Sequence, residues 1–286
     1  MGSPWKNHRS WELTEAISNA AGRDVASLLL DADAETLKAT RNAQLTAFAL
    51  SLIILDAARL EDAPVAAAAG HSLGEYSALV AVGVLSIAEG ARLVAARGEA
   101  MQGAANVAPG TMAAVLGLDP DLVAQACADV DDAWVANDNA PGQIVIAGTA
   151  GGVETAGANA TDLGAKRVMA LPVGGAFHSP LMASAQADLD EALAATAWAD
   201  PQVPVIANVD ATAHTDGWSA LLSGQLVSPV RWRESLLALT ALDVTATLEL
   251  GSGSELSGMV KRTLDGVARA NVAKPEDLSW IADLGG

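Results

Sequence analysis

The sequence predicts an α/β protein whose mainly parallel, hydrolase-like core carries a smaller inserted domain. Short apolar runs alternate with stretches of helix length, which is typical of a parallel sheet covered by helices. A Gly-Xaa-Ser-Xaa-Gly pattern at residues 70–74 indicates a sharp turn from a strand into a helix. Between residues 109 and 173 the segments follow the order βαββαβ of a ferredoxin-like unit. We therefore expect a core of residues 1–108 and 174–286, with the inserted domain at 109–173.

The first core segment is predicted to be mostly helical. Helices are expected over residues 9–60, where Ala, Leu and Ile recur at three-to-four spacing through residues 43–58, the period of an amphipathic helix. Residues 64–70 form a short apolar run that ends in glycine. Alanine is a poor strand former, so the Gly-Xaa-Ser-Xaa-Gly pattern that follows is what favours a strand there. A helix should continue to residue 82, and a second one, with Ser86 as its N-cap, should cover residues 86–101.

The inserted domain and the second core segment show alternating strands and helices. In the insert, helices are predicted at 121–129 and 152–163, and strands at 111–116, 134–137, 143–148 and 167–171. In the second core segment, helices are predicted at 181–195 and 230–239, and strands at 203–208 and 244–250. Active residues of such sheets lie at the carboxyl ends of the strands.

Composition excludes several classes of function. A formal net charge of −18 argues against nucleic acid or anionic membrane as a partner, because both need clustered Lys and Arg. The single cysteine, Cys127, excludes an internal disulfide and a cysteine-rich zinc site, and it favours a cytoplasmic protein. The longest uncharged run, residues 42–55, is shorter than the roughly 20 residues that cross a bilayer. No export signal opens the sequence.

Ser72 and His178 are the candidate catalytic pair. The small residues around Ser72 allow a turn that exposes its hydroxyl and places the Leu73 N–H beside a developing oxyanion, although a serine here could also merely cap a helix. Of the four histidines, His178 lies in a glycine-rich loop after a predicted strand and is the best base. No Asp or Glu is obviously placed to orient His178, so a backbone carbonyl and a carboxylate both stay open as its third partner.

Five segments in order resemble the signatures of malonyl-CoA:acyl carrier protein transacylases. They lie at residues 70–79, 97–102, 139–148, 175–182 and 228–232. The resemblance implies that Ser72 is the nucleophile, that His178 is its base and that Arg97 holds the malonyl carboxylate, a task that suits a guanidinium.

The same resemblance implies further site residues and the partners. Gln44 lines the pocket, Asn137 and Asn139 hold the His178 loop or the substrate, and Phe177 crowds a branched acyl chain. Malonyl-CoA is the donor and acyl carrier protein the acceptor in a ping-pong reaction without a metal or redox cofactor, and a monomer is expected. Basic residues are the candidates for docking an acidic carrier: Lys166, Arg167, Arg231, Arg233, Lys261 and Arg262.

The resemblance has one gap. Members of the family carry a Pro-Gly-Gln-Gly loop near their start whose glutamine supplies a second oxyanion donor, and no residue of this sequence matches it. Two alternatives therefore accompany the transferase hypothesis. One is a serine hydrolase or thioesterase, against which Arg97 argues. The other is an N-terminally truncated homologue of low activity that still binds carrier protein.

Overall fold

Helices and strands alternate through most of the chain in the computed structural model, which describes residues 1–60 and 63–284. The helices are α1 Leu13–Ala21, α2 Val25–Leu30, α3 Ala34–Lys38, α4 Thr40–Ala58, α5 Gly74–Ala81, α6 Ile87–Val107, α7 Pro120–Ala128, α8 Ala150–Asp162, α9 Ala183–Ala194, α10 Trp218–Val227, α11 Trp232–Thr240 and α12 Glu255–Thr263. The strands are β1 Ala68–Ala69, β2 Thr111–Leu116, β3 Ala133–Ala140, β4 Gln143–Gly148, β5 Arg167–Ala170, β6 Val205–Ile206, β7 Ala213–His214, β8 Ala246–Leu250 and β9 Ala268–Val272. Short 3-10 helices lie at Ser3–Trp5, Arg9–Glu12, Pro180–Met182 and Pro275–Leu284. The α/β class is confirmed.

The core has two short sheets where the sequence predicts one mainly parallel sheet. β1 pairs in parallel with β6, and β7 adds an antiparallel edge. β8 and β9 form a separate parallel pair. β1 covers only two of the predicted residues 64–70, since alanine offers little side chain to pack on a sheet.

Four elements add to those predicted: α10, α12, β7 and β9. α12 is only nine residues long and largely polar, although its few apolar residues share one face, and β9 has a short, weak alternation.

The segment from residue 111 to residue 170 folds as a four-stranded antiparallel sheet in the order β3-β4-β2-β5. Both β2 and β4 match the predicted boundaries residue for residue. Side chains of the sheet and of α7 and α8 form one buried cluster, with members such as Val115, Val123, Ile146 and Ala156. The segment therefore has a hydrophobic core of its own.

Close packing of α4 on α6 brings two predicted site residues together. Gly98 lies against α4, where a Cβ would come within 2.8 Å of the Arg41 Cα. Because glycine has no Cβ, the two helices can approach at this point. This approach places Gln44 of α4 beside Arg97 of α6. Among the described residues, no helix is long and apolar enough to cross a membrane.

β3 connects the four-stranded sheet to α11 and to the residue that precedes Arg231. Its Asp138 accepts hydrogen bonds from both Nε and Nη2 of Arg233 on α11 and is 8% exposed. The backbone of β3 also pairs with Val230, through the Asp138 N–H and the Ala136 carbonyl. The register of β3 shifts between Val135 and Asn137 and again before Ala140. These contacts hold the end of β3 against the Ser72 turn.

Candidate active site

The turn that carries Ser72 requires unusual backbone conformations. β1 ends at Ala69, and the chain enters α5 at Gly74. Ser72 has a φ of 52°, a left-handed conformation that non-glycine residues seldom adopt. At Gly70 a Cβ would lie 1.9 Å from the carbonyl carbon and oxygen of Gly74, so only glycine fits. This geometry is that of a nucleophile elbow.

Ser72 and His178 are in direct contact. The serine Oγ lies 2.7 Å from His178 Nε2, and the other ring nitrogen, Nδ1, lies 2.9 Å from the carbonyl oxygen of Gln225. A carbonyl can only accept, so Nδ1 carries the proton and Nε2 is free to accept the serine proton. The third partner of His178, left open by the sequence, is thus a backbone carbonyl.

His178 is neutral over the physiological pH range. It is only 4% exposed, and burial lowers its pKa to about 3, with the charge of Arg97 adding to the effect. The imidazole is therefore available as a base in the resting protein, although a weak one.

Arg97 places a fixed positive charge beside the nucleophile. It is 1% exposed, and its Nη2 donates to Ser72 Oγ at 3.1 Å and to Gln225 Oε1 at 2.9 Å. Its Nη1 donates to Gln44 Oε1 at 2.6 Å, and its guanidinium carbon lies 5.6 Å from the centre of the Tyr76 ring. Burial lowers the pKa of Arg97, but an arginine keeps its charge in proteins. Neutral acceptors surround this charge, so an anionic group could pair with it.

Two buried amides that the sequence analysis missed hold the elbow in place. Gln225 Nε2 donates to the Ser72 carbonyl at 3.0 Å and to Glu75 Oε2 at 2.8 Å. Asn208 Oδ1 accepts from the Ser72 N–H at 2.6 Å, and its Nδ2 donates to the Gly70 carbonyl at 2.8 Å. The available signals were weak: a polar residue within the apolar stretch 218–227, and an asparagine at the end of a predicted strand.

The Leu73 N–H points from the first turn of α5. Leu73 has helical backbone angles and directly precedes Gly74. Within the described parts of the chain its N–H has no hydrogen-bond acceptor, so it is available to a ligand. The amino end of a helix favours developing negative charge at this position.

The remaining predicted residues lie around the elbow in different ways. Asn139 Oδ1 lies 2.7 Å from His71 Nε2, so Asn139 contacts the elbow rather than the His178 loop, because the register of β3 brings its end to His71. Asn137 is buried and pairs through its backbone with Val230. Phe177 is half-buried, and its ring packs near Gly175.

Comparison with known proteins decides the family. The sequence profile described as acyl transferase domain matches residues 8–276. The chain belongs to the acyl transferase domain family. It is 42% identical to the malonyl CoA-acyl carrier protein transacylase of Bacillus subtilis, over 89% of this chain and 82% of that protein. The protein of the same name from Escherichia coli strain K12 is 37% identical, over 93% of this chain and 88% of that protein.

Solved structures agree with this membership of the acyl transferase family. The acyl-carrier-protein-S-malonyltransferase of Bartonella henselae superposes with a TM-score of 0.91 at 37% identity, covering 97% of this chain and 91% of that one. A malonyl-transacylase in complex with a type II PKS acyl-carrier protein gives a TM-score of 0.94 at 33% identity, covering 99% of this chain and 94% of that one.

Other reactive groups of this acyl transferase chain lie outside the elbow. Cys127 is buried in α7, and burial raises the pKa of its thiol to about 11, so it is a poor nucleophile at neutral pH. In the described ranges, no three His, Cys, Asp or Glu side chains are grouped so that they could hold a metal ion.

Proposed function

We propose that this chain transfers a malonyl group from malonyl-CoA to the phosphopantetheine thiol of an acyl carrier protein, in fatty acid or polyketide synthesis. One observation carries the proposal: the same oxygen, Ser72 Oγ, contacts both His178 Nε2 and Arg97 Nη2. In malonyl-CoA the carboxylate is one methylene from the thioester carbon, so its binding group must lie beside the nucleophile. Arg97 satisfies this requirement, and the names of the relatives point to the same substrate.

In the first half-reaction, Ser72 Oγ attacks the thioester carbonyl while its proton moves to His178 Nε2. The Leu73 N–H donates to the oxyanion. The carbon–sulfur bond then breaks, the imidazolium returns the proton to the departing thiolate, and a malonyl ester remains on Ser72. Arg97 binds the malonyl carboxylate through parallel N–H bonds.

The second half-reaction reverses these roles. His178 takes the proton of the carrier's thiol, whose sulfur attacks the ester, and the carbon–oxygen bond to Ser72 breaks with return of the proton. The malonyl carboxylate offsets the Arg97 charge that helps lower the pKa of His178, so the imidazole becomes a stronger base once the substrate is bound. Every step uses groups of the chain and its substrates, so we propose that no cofactor takes part.

Supporting roles follow from the contacts. Gln44 fixes the Arg97 guanidinium from α4, and Asn139 holds His71 in the elbow. We propose that Asn137 also helps to hold this end of β3 in place, since its backbone pairs with Val230 beside the site. Phe177, next to the base, is proposed to limit the pocket to an unbranched acyl chain.

The organisation proposed for this activity is a core of residues 1–108 and 174–286 with a ferredoxin-like insert at 109–173. The sheet order β3-β4-β2-β5 with α7 and α8 packed on it supports the insert's assignment. We propose a cytoplasmic monomer.

Docking of the carrier is proposed to use basic residues that keep a free charge. Arg231 pairs with Glu234 and Arg233 with Asp138, so these two are the weakest of the six candidates. The preferred docking residues are the other four: Lys166, Arg167, Lys261 and Arg262.

The decisive experiment follows the Ser72 ester directly. The protein and its Ser72→Ala variant are incubated with malonyl-CoA and measured by intact mass, with circular dichroism to establish folding. We expect a malonyl adduct on the wild type alone, which disappears when holo acyl carrier protein is added and reappears on the carrier.

Each other outcome points to one alternative. Release of malonate without carrier, at the rate of loading, would make the chain a hydrolase. A folded wild type that binds carrier but forms no adduct would leave the low-activity binding homologue as the better description.

A further inference from the structure

A carboxyl group lies fully buried beneath the nucleophile elbow. Glu75 is 0% exposed, in the first turn of α5, three positions after Ser72. Burial raises its pKa to about 7, which reflects the cost of placing a carboxylate away from water. A buried carboxyl of this kind needs compensating hydrogen bonds.

Both hydrogen bonds of the carboxyl go to residues that hold the elbow. Its Oε2 accepts from the Gln225 side-chain amide at 2.8 Å and from the Asn208 backbone N–H at 3.1 Å. Its Oε1 has no hydrogen-bond partner among the described residues. Glu75 is not hydrogen-bonded to the side chain of Ser72 or His178, so its side-chain hydrogen bonds act on them through these two partners.

The two partners contact three of the groups that the proposed reaction uses: Ser72, Arg97 and His178. Asn208 holds the N–H of Ser72, and Gln225 holds its carbonyl. Gln225 also accepts from Arg97 through its side chain and from His178 through its backbone carbonyl. One carboxyl oxygen thus connects the supports of the nucleophile, the base and the carboxylate-binding arginine.

We propose that Glu75 is a positioning residue for acyl transfer, in which its Oε2 fixes Asn208 and Gln225 and these in turn fix Ser72, Arg97 and His178. The inference rests on the proposed function. The left-handed backbone of Ser72 persists only where neighbouring groups hold it firmly, and the bonds from Asn208 and Gln225 do so on both sides of the residue. Without Glu75 Oε2 as an acceptor, the Gln225 side-chain amide could rotate and release both the Ser72 carbonyl and Arg97.

The test compares acceptor geometry at position 75. Glu75→Gln keeps an oxygen that can accept both N–H groups, whereas Glu75→Leu removes the acceptor. Single-turnover malonyl loading and labelling of Ser72 by a fluorophosphonate are measured for both variants, with unfolding midpoints alongside. We expect Glu75→Gln to stay within about tenfold of the wild type and Glu75→Leu to lose about 10²-fold in both rate constants, the size of effect that misplaced reacting groups produce.

A control separates positioning from general loss of stability. Val84 is 1% exposed and its side chain lies outside the hydrogen-bond network. Val84→Ala shortens this buried side chain, so it should lower the unfolding midpoint without changing the rate constants of loading or labelling. If Glu75→Leu does not fold, Glu75→Asp replaces it, because its shorter side chain cannot reach both donors, and a loss of at least tenfold is expected.

Two results would overturn the inference. One is wild-type rate constants in Glu75→Leu, and the other is an equal loss in Glu75→Gln and Glu75→Leu. The fluorophosphonate keeps this result separate from the proposed function. A wild type that reacts with the probe but not with malonyl-CoA refutes malonyl transfer, while the effect of Glu75 on the elbow is still read from the labelling rates.

Discussion

Replacing Arg97 with methionine should change which acyl groups load onto Ser72. The guanidinium is buried and hydrogen-bonded to Gln44, Gln225 and the Ser72 hydroxyl, so methionine of similar length removes the charge with little change in volume. A hydrogen bond to a charged group contributes about 1.5 to 3 kcal/mol. Two such bonds to the malonyl carboxylate give about 3 to 6 kcal/mol, or about 10²- to 10⁴-fold in the rate of malonyl loading.

Acetyl-CoA lacks the carboxylate and therefore provides the internal comparison. Its loading should fall by no more than about tenfold, since only one of the three hydrogen bonds that Arg97→Met removes, the bond to Ser72 Oγ, involves a reacting atom. Initial loading rates for both thioesters are measured by intact mass under matched conditions. Arg92→Met makes the same substitution on the same helix, where the side chain is 54% exposed, and should leave both rates unchanged. Equal losses for the two thioesters in Arg97→Met would refute carboxylate binding by Arg97.

Three further predictions concern the elbow and its neighbours. Gly70→Ala should lower the urea midpoint strongly because its Cβ would overlap Gly74, whereas Gly151→Ala, with open space around the new Cβ, should not; equal midpoints would contradict the tight turn. His178, neutral when folded with a pKa of about 3 against 6.5 in the unfolded chain, stabilises the fold fully above pH 6.5 and less as pH falls toward 3. This loss amounts to about 2 kcal/mol between pH 7 and pH 5, so His178→Ala should lose less unfolding free energy over that range than the wild type, and an identical loss would contradict the shifted pKa. Phe177→Ala should raise loading of methylmalonyl-CoA relative to malonyl-CoA about tenfold in a competition assay, since one methyl group in an apolar pocket changes discrimination by this order; an unchanged ratio would mean that Phe177 does not limit the pocket.

Local patterns predicted the nucleophile, base and arginine, but not the residues that hold them. Ser72 stands in a five-residue pattern and His178 in a glycine-rich loop, so each has a signal in its own segment. Gln225 contacts Ser72 across 153 positions of sequence, and nothing in either segment indicates the partner. Side-chain networks between distant elements depend on tertiary packing, which periodicity does not record.

Strand lengths are recorded less well by the sequence than strand positions. β2 and β4 were predicted to the residue because each is a short, continuously buried apolar run that glycines bound in the sequence. β1 and β6 have two residues each, within predicted strands several residues longer. An apolar run indicates burial rather than hydrogen bonding, so it overestimates the length of a strand in a small sheet.

The continuity of β3 means that residues 109–173 are not an exchangeable module. The same strand pairs with β4 within the four-stranded sheet and carries Asn139, whose side chain reaches His71 in the elbow. A chimera that swaps residues 109–173 between relatives would therefore import a foreign support for the nucleophile turn, along with a foreign partner for Arg233. Engineering of the acyl transferase would have to begin the exchanged segment after Asn139, so that Asp138 and Asn139 stay native. The alternative is to transfer His71 and Arg233 together with the exchanged segment.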